Sequence, residues 1–218
     1  MRADARRNRR AILDAAKELV GERGADVPLD AVAARAEVGA GTLYRHFPDR
    51  QALFEGLVGA LAEHVTGTCR ATLDCFDEDP EGEWRAFVDA LVDLGVGSLF
   101  PAMGPAIAQS PGFDRPDSPV NVARLAIGSA VSDVLDRATA HGLLREDVSS
   151  IEFVLLVSKA MRPVAIPALV EVDHSRAVAV LLAGLRPDGR PLPGVGPVPL
   201  GLPEELARLA DRRFRPRS

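Results

Sequence analysis

A short segment near the N-terminus combines small residues with hydrogen-bond donors. Its sequence over residues 40–46 is AGTLYRH. If the segment is helical, the two small residues at its start would let that end lie close to the edges of base pairs. Thr42, Tyr44 and His46 offer uncharged donors for phosphate oxygens, and Arg45 can donate two parallel hydrogen bonds to a guanine. The chemistry that suits this segment is therefore contact with a nucleic acid.

One further position extends this pattern, and Tyr44 has an alternative interpretation. Arg50, at the start of the next predicted helix, can pair with a phosphate. Phe47 and Tyr44 could instead form the core of a small helical unit, and we interpret Phe47 in this way. Tyr44 is the only tyrosine of the chain and stands beside Arg45 and His46. We therefore interpret Tyr44 as a contact residue, with the core position as its alternative.

Helices predicted on both sides would hold this segment in place. Residues 6–23 have apolar side chains at helical spacing, and Gly24 follows as a natural stop. A second short helix is predicted after Pro28, then a tight turn at 37–39 and a third helix over 40–46. This spacing is that of a helix-turn-helix, whose later helix enters the DNA major groove. Its small interior would be formed by Ala33, Val38 and Leu43.

The rest of the chain is also predicted to be helical, so the predicted fold class is all-α. Asp49 can cap a long fourth helix, which runs up to an acidic loop at 74–83. Residues 100–119, rich in proline and glycine, are predicted as short helical pieces and loop. Residues 187–203 contain six prolines and are predicted to form a linker or arm. The other predicted helices are at 83–99, 120–141, 149–162, 173–185 and 204–213.

The charge of the chain is unevenly distributed. The net charge is −5, yet residues 1–50 carry ten basic and eight acidic residues, against sixteen and twenty-three in the remainder. Five arginines stand within the first ten residues, accompanied only by Asp4. A basic N-terminal segment on an otherwise acidic chain favours an anionic partner at the N-terminus.

Several classes of protein are disfavoured by what the sequence lacks. Cys69 and Cys75 are six residues apart on one predicted helix, a rise of about 9 Å that is too long for a disulfide. We expect both to be buried. No nucleophile motif, phosphate loop or metal-ligand spacing occurs, so we expect no enzyme, no cofactor and no metal. No apolar stretch is long enough to span a membrane and no leader is apparent, so we expect a cytoplasmic protein.

Residues 29–53, LDAVAARAEVGAGTLYRHFPDRQAL, closely resemble the DNA-binding signature of the TetR family of bacterial transcriptional regulators. The resemblance covers about residues 8–60 by motif and the later helices by order and length. It implies a homodimer that binds a palindromic double-stranded DNA operator through its N-terminal helices. It also implies a DNA-binding domain at 1–50 and a helical ligand-binding and dimerisation domain at 51–186. The proline-rich arm and short terminal helix at 187–218, which the composition predicts, follow these two domains.

The resemblance also assigns DNA contacts to particular residues of this chain. Two positions depart from the family pattern: Leu29 stands where many members have a threonine that can touch phosphate, and Glu37 replaces a frequent glycine in the turn. The first departure puts one phosphate contact in doubt. The implied contacts are Gly39, Ala40, Gly41, Thr42, Tyr44, Arg45, His46 and Arg50.

The leading hypothesis is a repressor that a hydrophobic small molecule releases from its operator. A regulator without such an effector is the main alternative, and an enzyme built on a helical bundle is a further one. Helices near 149–162 and 173–186 are apolar on nearly every side, so we expect them to join two subunits. The effector pocket is expected among the C-terminal helices and the broken segment 100–113. Its expected lining residues are Leu61, Val65, Phe87, Leu91, Phe100, Met103, Phe113, Ile127 and Met161.

Overall fold

The computed structural model describes residues 2–110, 115, 117–161 and 174–190, and every regular element among them is an α-helix. The predicted all-α class is therefore confirmed. The described parts of Met1–Leu61 and Pro101–Ala123 form one compact unit, and those of Ala62–Phe100 and Arg124–Ser218 form another. The helices are α1 (Arg2–Arg23), α2 (Leu29–Arg35), α3 (Ala40–His46), α4 (Arg50–Cys75), α5 (Pro80–Asp93), α6 (Val96–Ala108), α7 (Pro119–Ala140), α8 (Ser150–Ala160) and α9 (His174–Gly184).

The first unit contains three helices that pack against one another. Helix α1 packs against α2 and α3, and α2 packs against α3. Leu43 is fully buried and Ala33 nearly so, whereas Val38 is half-buried. Burial of these apolar side chains is what holds helices as short as α2 and α3, because seven residues are too few for a stable isolated helix.

The boundaries in this unit follow local signals. Gly24 has φ +88°, and its N–H donates to the Val20 carbonyl at 2.9 Å, so it ends α1 as predicted. Asp49 caps α4 as predicted, since its Oδ1 accepts a hydrogen bond from the Ala52 N–H at 2.8 Å.

The second unit is held together by an aromatic cluster. Helix α5 packs against α8 and α9, which also pack against each other. The ring of Trp84 stacks on Phe153 with 5.2 Å between centroids and on Phe87 with 6.0 Å. All three side chains are buried, and stacked rings add to the free energy of simple burial.

The helix predicted over 83–99 is wrong at both ends. Helix α5 begins earlier, at Pro80, because the Asp79 side chain accepts a hydrogen bond from the Gly82 N–H and proline suits the first helical turn. The same helix ends at Asp93, because Gly95 adopts a left-handed conformation with φ +83°. The predicted acidic loop at 74–83 is correspondingly shorter.

The proline-rich segment after Gly95 is more helical than predicted. Helix α6 runs through Pro101 and Pro105 to Ala108, where short pieces and loop were expected. Each proline removes one backbone donor from the helix. Burial of Leu99 and Met103 offsets the two missing hydrogen bonds.

The last two described helices agree with the sequence in position. Helix α8 is capped by Ser149, whose Oγ accepts a hydrogen bond from the Glu152 N–H at 3.2 Å. It ends at Ala160 rather than at 162, and α9 ends at Gly184. The predicted start of α9 at 173, residues 191–203 of the arm predicted at 187–203, and the helix predicted at 204–213 lie outside the described residues.

The two cysteines lie in different environments, which corrects the expectation that both are buried. Cys69 is buried, and this burial raises the pKa of its thiol to about 12, so the thiol stays protonated near neutral pH. Cys75 is the last residue of α4 and is exposed, because the helix ends there before the loop to α5.

Candidate nucleic-acid interface

The turn before α3 brings the chain abruptly into the new helix. The Glu37 N–H donates to the Ala34 carbonyl at 3.2 Å, and the Val38 N–H donates to the Ala33 carbonyl at 3.0 Å. Glu37 has φ +54°, which is a left-handed conformation at a residue with a Cβ atom. This is the position at which the sequence departs from the family glycine.

Relief of this strain gives a first testable prediction. Glu37→Gly is expected to raise the free energy of unfolding by about 0.5–1 kcal/mol, because glycine adopts this conformation without a Cβ penalty. Urea denaturation monitored by circular dichroism measures the change. Glu37→Ala is the control, since it removes the charge and keeps the Cβ. If both variants are equally stable, the backbone conformation of Glu37 is not the source of the strain.

Helix α3 presents one face to solvent and buries the other. Leu43 points inward, whereas Tyr44 is 46% exposed and Arg45 is also exposed. Tyr44 is therefore not a core residue, and the alternative interpretation for it is wrong. Phe47, which follows the helix, is buried as predicted. Of the other residues that the resemblance assigned to DNA, Gly39, Ala40, Gly41 and Arg50 are exposed, and Thr42 and His46 are partly exposed.

The small residues at the start of α3 are not required by packing. A Cβ atom added to Gly39 or to Gly41 would meet nothing within 4 Å. The absence of side chains there leaves open space in front of the helix N-terminus, where a close approach by another molecule is sterically free.

Arg45 is folded back along its own helix. Its Nε donates to the Gly41 carbonyl and its Nη2 to Thr42 Oγ1, both at 3.1 Å. Both acceptors are neutral, and within the described part of the chain no carboxylate pairs with Arg45. The positive charge of Arg45 is therefore uncompensated at the exposed face of α3.

Arg50, in contrast, is bound to a carboxylate that the sequence analysis did not identify. Its Nη2 donates to Asp26 Oδ1 at 2.9 Å and to the Ala25 carbonyl at 3.3 Å. Asp26 lies in the loop between α1 and α2, 24 residues earlier in the chain. No periodicity links two such positions, so only the fold shows that this carboxylate offsets the charge of Arg50.

Arg35 of α2 is also neutralised within the unit. Its Nη1 donates to Glu18 at 2.9 Å, and its two terminal nitrogens donate to Glu22 at 3.1 Å. The hydrogen bond from Arg35 lowers the pKa of Glu22. The charge of this arginine is therefore offset by two carboxylates of the same unit.

Gly56 of α4 lies close to the ring of Phe47, the residue that follows α3. A Cβ atom on Gly56 would lie 2.7 Å from Cε1 of Phe47 and 3.5 Å from Nη2 of Arg9. The Arg9 guanidinium lies over the Phe47 ring, with its Cζ 5.1 Å from the ring centroid. Gly56 thus permits close packing between the end of α3 and α4, which sequence analysis did not identify.

The expected pocket residues are divided among several environments. Five of them, Val65, Phe87, Leu91, Met103 and Met161, are buried, and Leu61 and Ile127 are partly exposed. Phe113 and the side chain of Phe100 are outside what the structure describes. Phe87 packs between aromatic rings, which gives it a role in the core of the second unit. The pocket itself stays a prediction.

An open cleft in the second unit is lined by other residues. Its volume is about 520 Å³, and it lies between α5, α9 and the loop that contains Leu143. An ion pair between Arg186 and Glu81 borders it. None of the nine expected pocket residues lines this cleft. Its lining is Asp79, Glu81, Gly82, Trp84, Arg85, Leu143, Ala179, Leu182, Ala183 and Arg186.

The described part of the chain has neither a cluster of metal ligands nor a helix suited to a membrane. No three of its histidine, cysteine, aspartate or glutamate side chains are grouped as metal ligands would be. His141 instead lies 3.0 Å from Asp77 through its Nε2, and Arg137 donates to the same carboxylate. Among the described helices, none has the length and apolar character needed to cross a membrane.

Two family models match this chain. Residues 12–57 match the model for bacterial regulatory proteins of the tetR family, and residues 79–187 match the C-terminal domain model of SbtR-like transcriptional regulators. Together they cover both the helix-turn-helix and most of the later helices.

A curated relative and two solved structures are similar as well. The HTH-type transcriptional repressor LfrR of Mycolicibacterium smegmatis is 33% identical over 139 residues, which is 62% of this chain and 67% of LfrR. A TetR transcriptional regulator from Streptomyces coelicolor superposes with a TM-score of 0.55 at 28% identity, covering 83% of this chain and 99% of that one. LfrR in complex with proflavine superposes with a TM-score of 0.60 at 23% identity, covering 86% and 99%.

Proposed function

The chain belongs to the TetR family of bacterial transcriptional regulators, and we propose that it is a homodimeric repressor released from a palindromic operator by a hydrophobic small molecule. Both family models and the curated relative are transcriptional regulators, so the protein is a regulator rather than an enzyme. Repression is proposed because LfrR is a repressor.

The observation that carries the proposed DNA contact is the exposed face of α3. Tyr44 and Arg45 are exposed on it, and its N-terminal end carries no bulky side chain. An uncompensated guanidinium beside a sterically open helix N-terminus suits a major groove, where arginine binds the O6 and N7 acceptors of guanine. The proposed contacts are those that the resemblance assigns: Gly39, Ala40, Gly41, Thr42, Tyr44, Arg45, His46 and Arg50.

DNA binding is tested with the DNA directly upstream of the protein's own coding sequence. Fluorescence anisotropy should give a Kd at least about a thousandfold lower for that duplex than for a scrambled duplex at 0.15 M salt. Footprinting should show two protected half-sites whose centres are about one helical turn apart, or a multiple of it. Equal affinity for both duplexes would exclude specific operator recognition there.

The proposed dimer interface is formed by α8 and α9. Val180 of α9 is 65% exposed, and Ile151, Val154 and Leu155 of α8 are only partly buried. Apolar side chains left at the surface of two adjacent helices favour burial against a second copy. Two helices from each subunit would then form a four-helix interface with two-fold symmetry.

Substitution within this surface should dissociate the dimer. Val180→Arg is expected to weaken dimerisation by roughly 2–4 kcal/mol, because apolar burial is lost and a charge is placed in the interface. Sedimentation equilibrium measures the change. Val122→Arg is the matched control, because Val122 is 55% exposed and lies on α7, outside the proposed interface. A monomeric wild type at micromolar concentration, or equal effects of both variants, would count against this interface.

The proposed effector is a hydrophobic small molecule, and proflavine is the probe. LfrR has been solved in complex with proflavine, and all nine expected pocket residues of this chain are apolar. Addition of proflavine should release the wild type from its operator. Leu91→Trp or Met103→Trp would fill the expected pocket and should abolish this release while operator binding is retained. Proflavine also intercalates into DNA, so its binding to the free protein is measured as well, and equal affinity for the wild type and both variants would place the effector site elsewhere. If proflavine releases none of them, a regulator without this class of effector is the better description.

A further inference from the structure

We propose that Asp26 competes with DNA phosphate for Arg50 and so limits the affinity of the protein for any DNA. This inference rests on the proposed function, because it takes Arg50 to be a phosphate contact. It concerns a residue that neither the motif nor the resemblance singles out.

The geometry puts the carboxylate at one edge of the guanidinium. Arg50 Nη2 donates both to Asp26 Oδ1 at 2.9 Å and to the Ala25 carbonyl at 3.3 Å. The Nε and Nη1 groups of Arg50 have no acceptor within the described residues. A guanidinium has five N–H donors in a fixed plane, so Arg50 can meet a phosphate while Asp26 still holds its other edge.

The competition is therefore for the charge of Arg50 and not for its N–H donors. The Asp26 side chain is 98% exposed and that of Arg50 is 54% exposed, so if Arg50 contacts a phosphate, Asp26 lies beside that phosphate as well. A phosphate bound to Arg50 would then share one cation with a carboxylate nearby, and the two anions repel each other. Part of the attraction between Arg50 and DNA is therefore offset before binding.

No described carboxylate offsets the charge of Arg45. The two arginines therefore have different roles. The acceptors of Arg45 are a carbonyl and a hydroxyl, so its full charge remains available. Arg50 faces phosphate, which carries no sequence information, so Asp26 acts on operator and non-operator DNA alike. Asp26 therefore sets the strength of binding, whereas Arg45 sets its sequence preference.

Asp26→Asn tests this separation, because asparagine keeps an acceptor oxygen for Arg50 and loses the charge. Anisotropy titrations of the full chain with the operator and with a scrambled duplex should show roughly two- to twentyfold tighter binding to both, as expected for one exposed ion pair per subunit. The slope of log K against log salt should steepen by up to about 0.9 per subunit.

Two further variants test whether the gain in affinity depends on Arg50 and on the position of the carboxylate. In an Arg50→Ala background, Asp26→Asn should give no gain, since the cation for which the two anions compete is absent. Asp30→Asn removes another exposed carboxylate, on α2, and should leave both affinities close to those of the wild type.

The proposal is overturned if Asp26→Asn binds DNA no more tightly than wild type, or if its gain persists without Arg50. An equal gain in affinity in Asp30→Asn would show that the gain comes from the change in net charge and not from the pairing of Asp26 with Arg50. Loss of affinity in Asp26→Asn would show that the carboxylate instead positions Arg50 for DNA. Failure of the proposed function is a separate result, namely a wild type that does not prefer the operator. The competition can still be measured on the scrambled duplex.

Discussion

Arg45→Ala is expected to lose about 1–3 kcal/mol of operator binding per half-site, and so roughly 2–6 kcal/mol in the proposed dimer. The reason is that Arg45 is the exposed cation of α3 whose charge no described carboxylate offsets. If its guanidinium binds a guanine through O6 and N7, its removal also relaxes the base preference at one position of each half-site. Affinity for scrambled DNA should fall much less.

The measurement is a set of anisotropy titrations with the operator and with duplexes changed symmetrically at one base pair at a time. The variant should show a flat response at the position that Arg45 contacts, where the wild type discriminates. Arg35→Ala is the charge-matched control, because Arg35 is bound to Glu18 and Glu22 and lies on α2. Wild-type operator affinity in Arg45→Ala would remove Arg45 from the interface.

Local signals determine most of the DNA-binding unit, which is why the sequence predicts it well. Gly24 ends α1, Asp49 caps α4, and α3 spans the same residues, 40–46, in the prediction and in the structure. Each of these boundaries depends on the conformational preference of one or two adjacent residues. The inward position of Leu43 follows equally from helical periodicity.

The missed features depend on residues that are distant in the chain or on competing local preferences. Asp26 and Arg50 meet through tertiary structure, and no sequence pattern pairs a loop residue with a helix start 24 residues later. Pro101 and Pro105 are helix breakers by preference, yet α6 continues through both because the tertiary structure buries Met103. Gly95 conversely interrupts an apolar pattern that looked continuous.

The glycines of α4 show most clearly what the sequence leaves undetermined. Gly56, Gly59 and Gly67 all stand inside a helical pattern, where glycine lowers stability relative to alanine. A Cβ atom at Gly59 or Gly67 would meet nothing within 4 Å, whereas at Gly56 it would collide with the Phe47 ring. Only Gly56 of these three glycines therefore has a packing role, and the contact with Phe47 is what distinguishes it.

Gly56→Ala and Gly59→Ala are consequently expected to have opposite effects. Gly59→Ala should raise the free energy of unfolding by up to about 1 kcal/mol, because alanine is the better helix former and has free space there. Gly56→Ala should lower it by about 1–3 kcal/mol, because the added methyl group overpacks a buried ring that Arg9 covers. Guanidinium denaturation followed by circular dichroism measures both changes.

The same clash should reach the proposed DNA interface, since Phe47 directly follows α3 and its N–H donates to the Leu43 carbonyl at 2.8 Å. Displacement of Phe47 would move the end of α3, so Gly56→Ala should also weaken operator binding at temperatures where the variant is folded, whereas Gly59→Ala should not. Phe47→Leu introduced into Gly56→Ala removes the ring atoms that clash and should recover part of both losses. If the two alanine variants are equally stable and bind the operator equally well, close packing of Phe47 on Gly56 does not position α3.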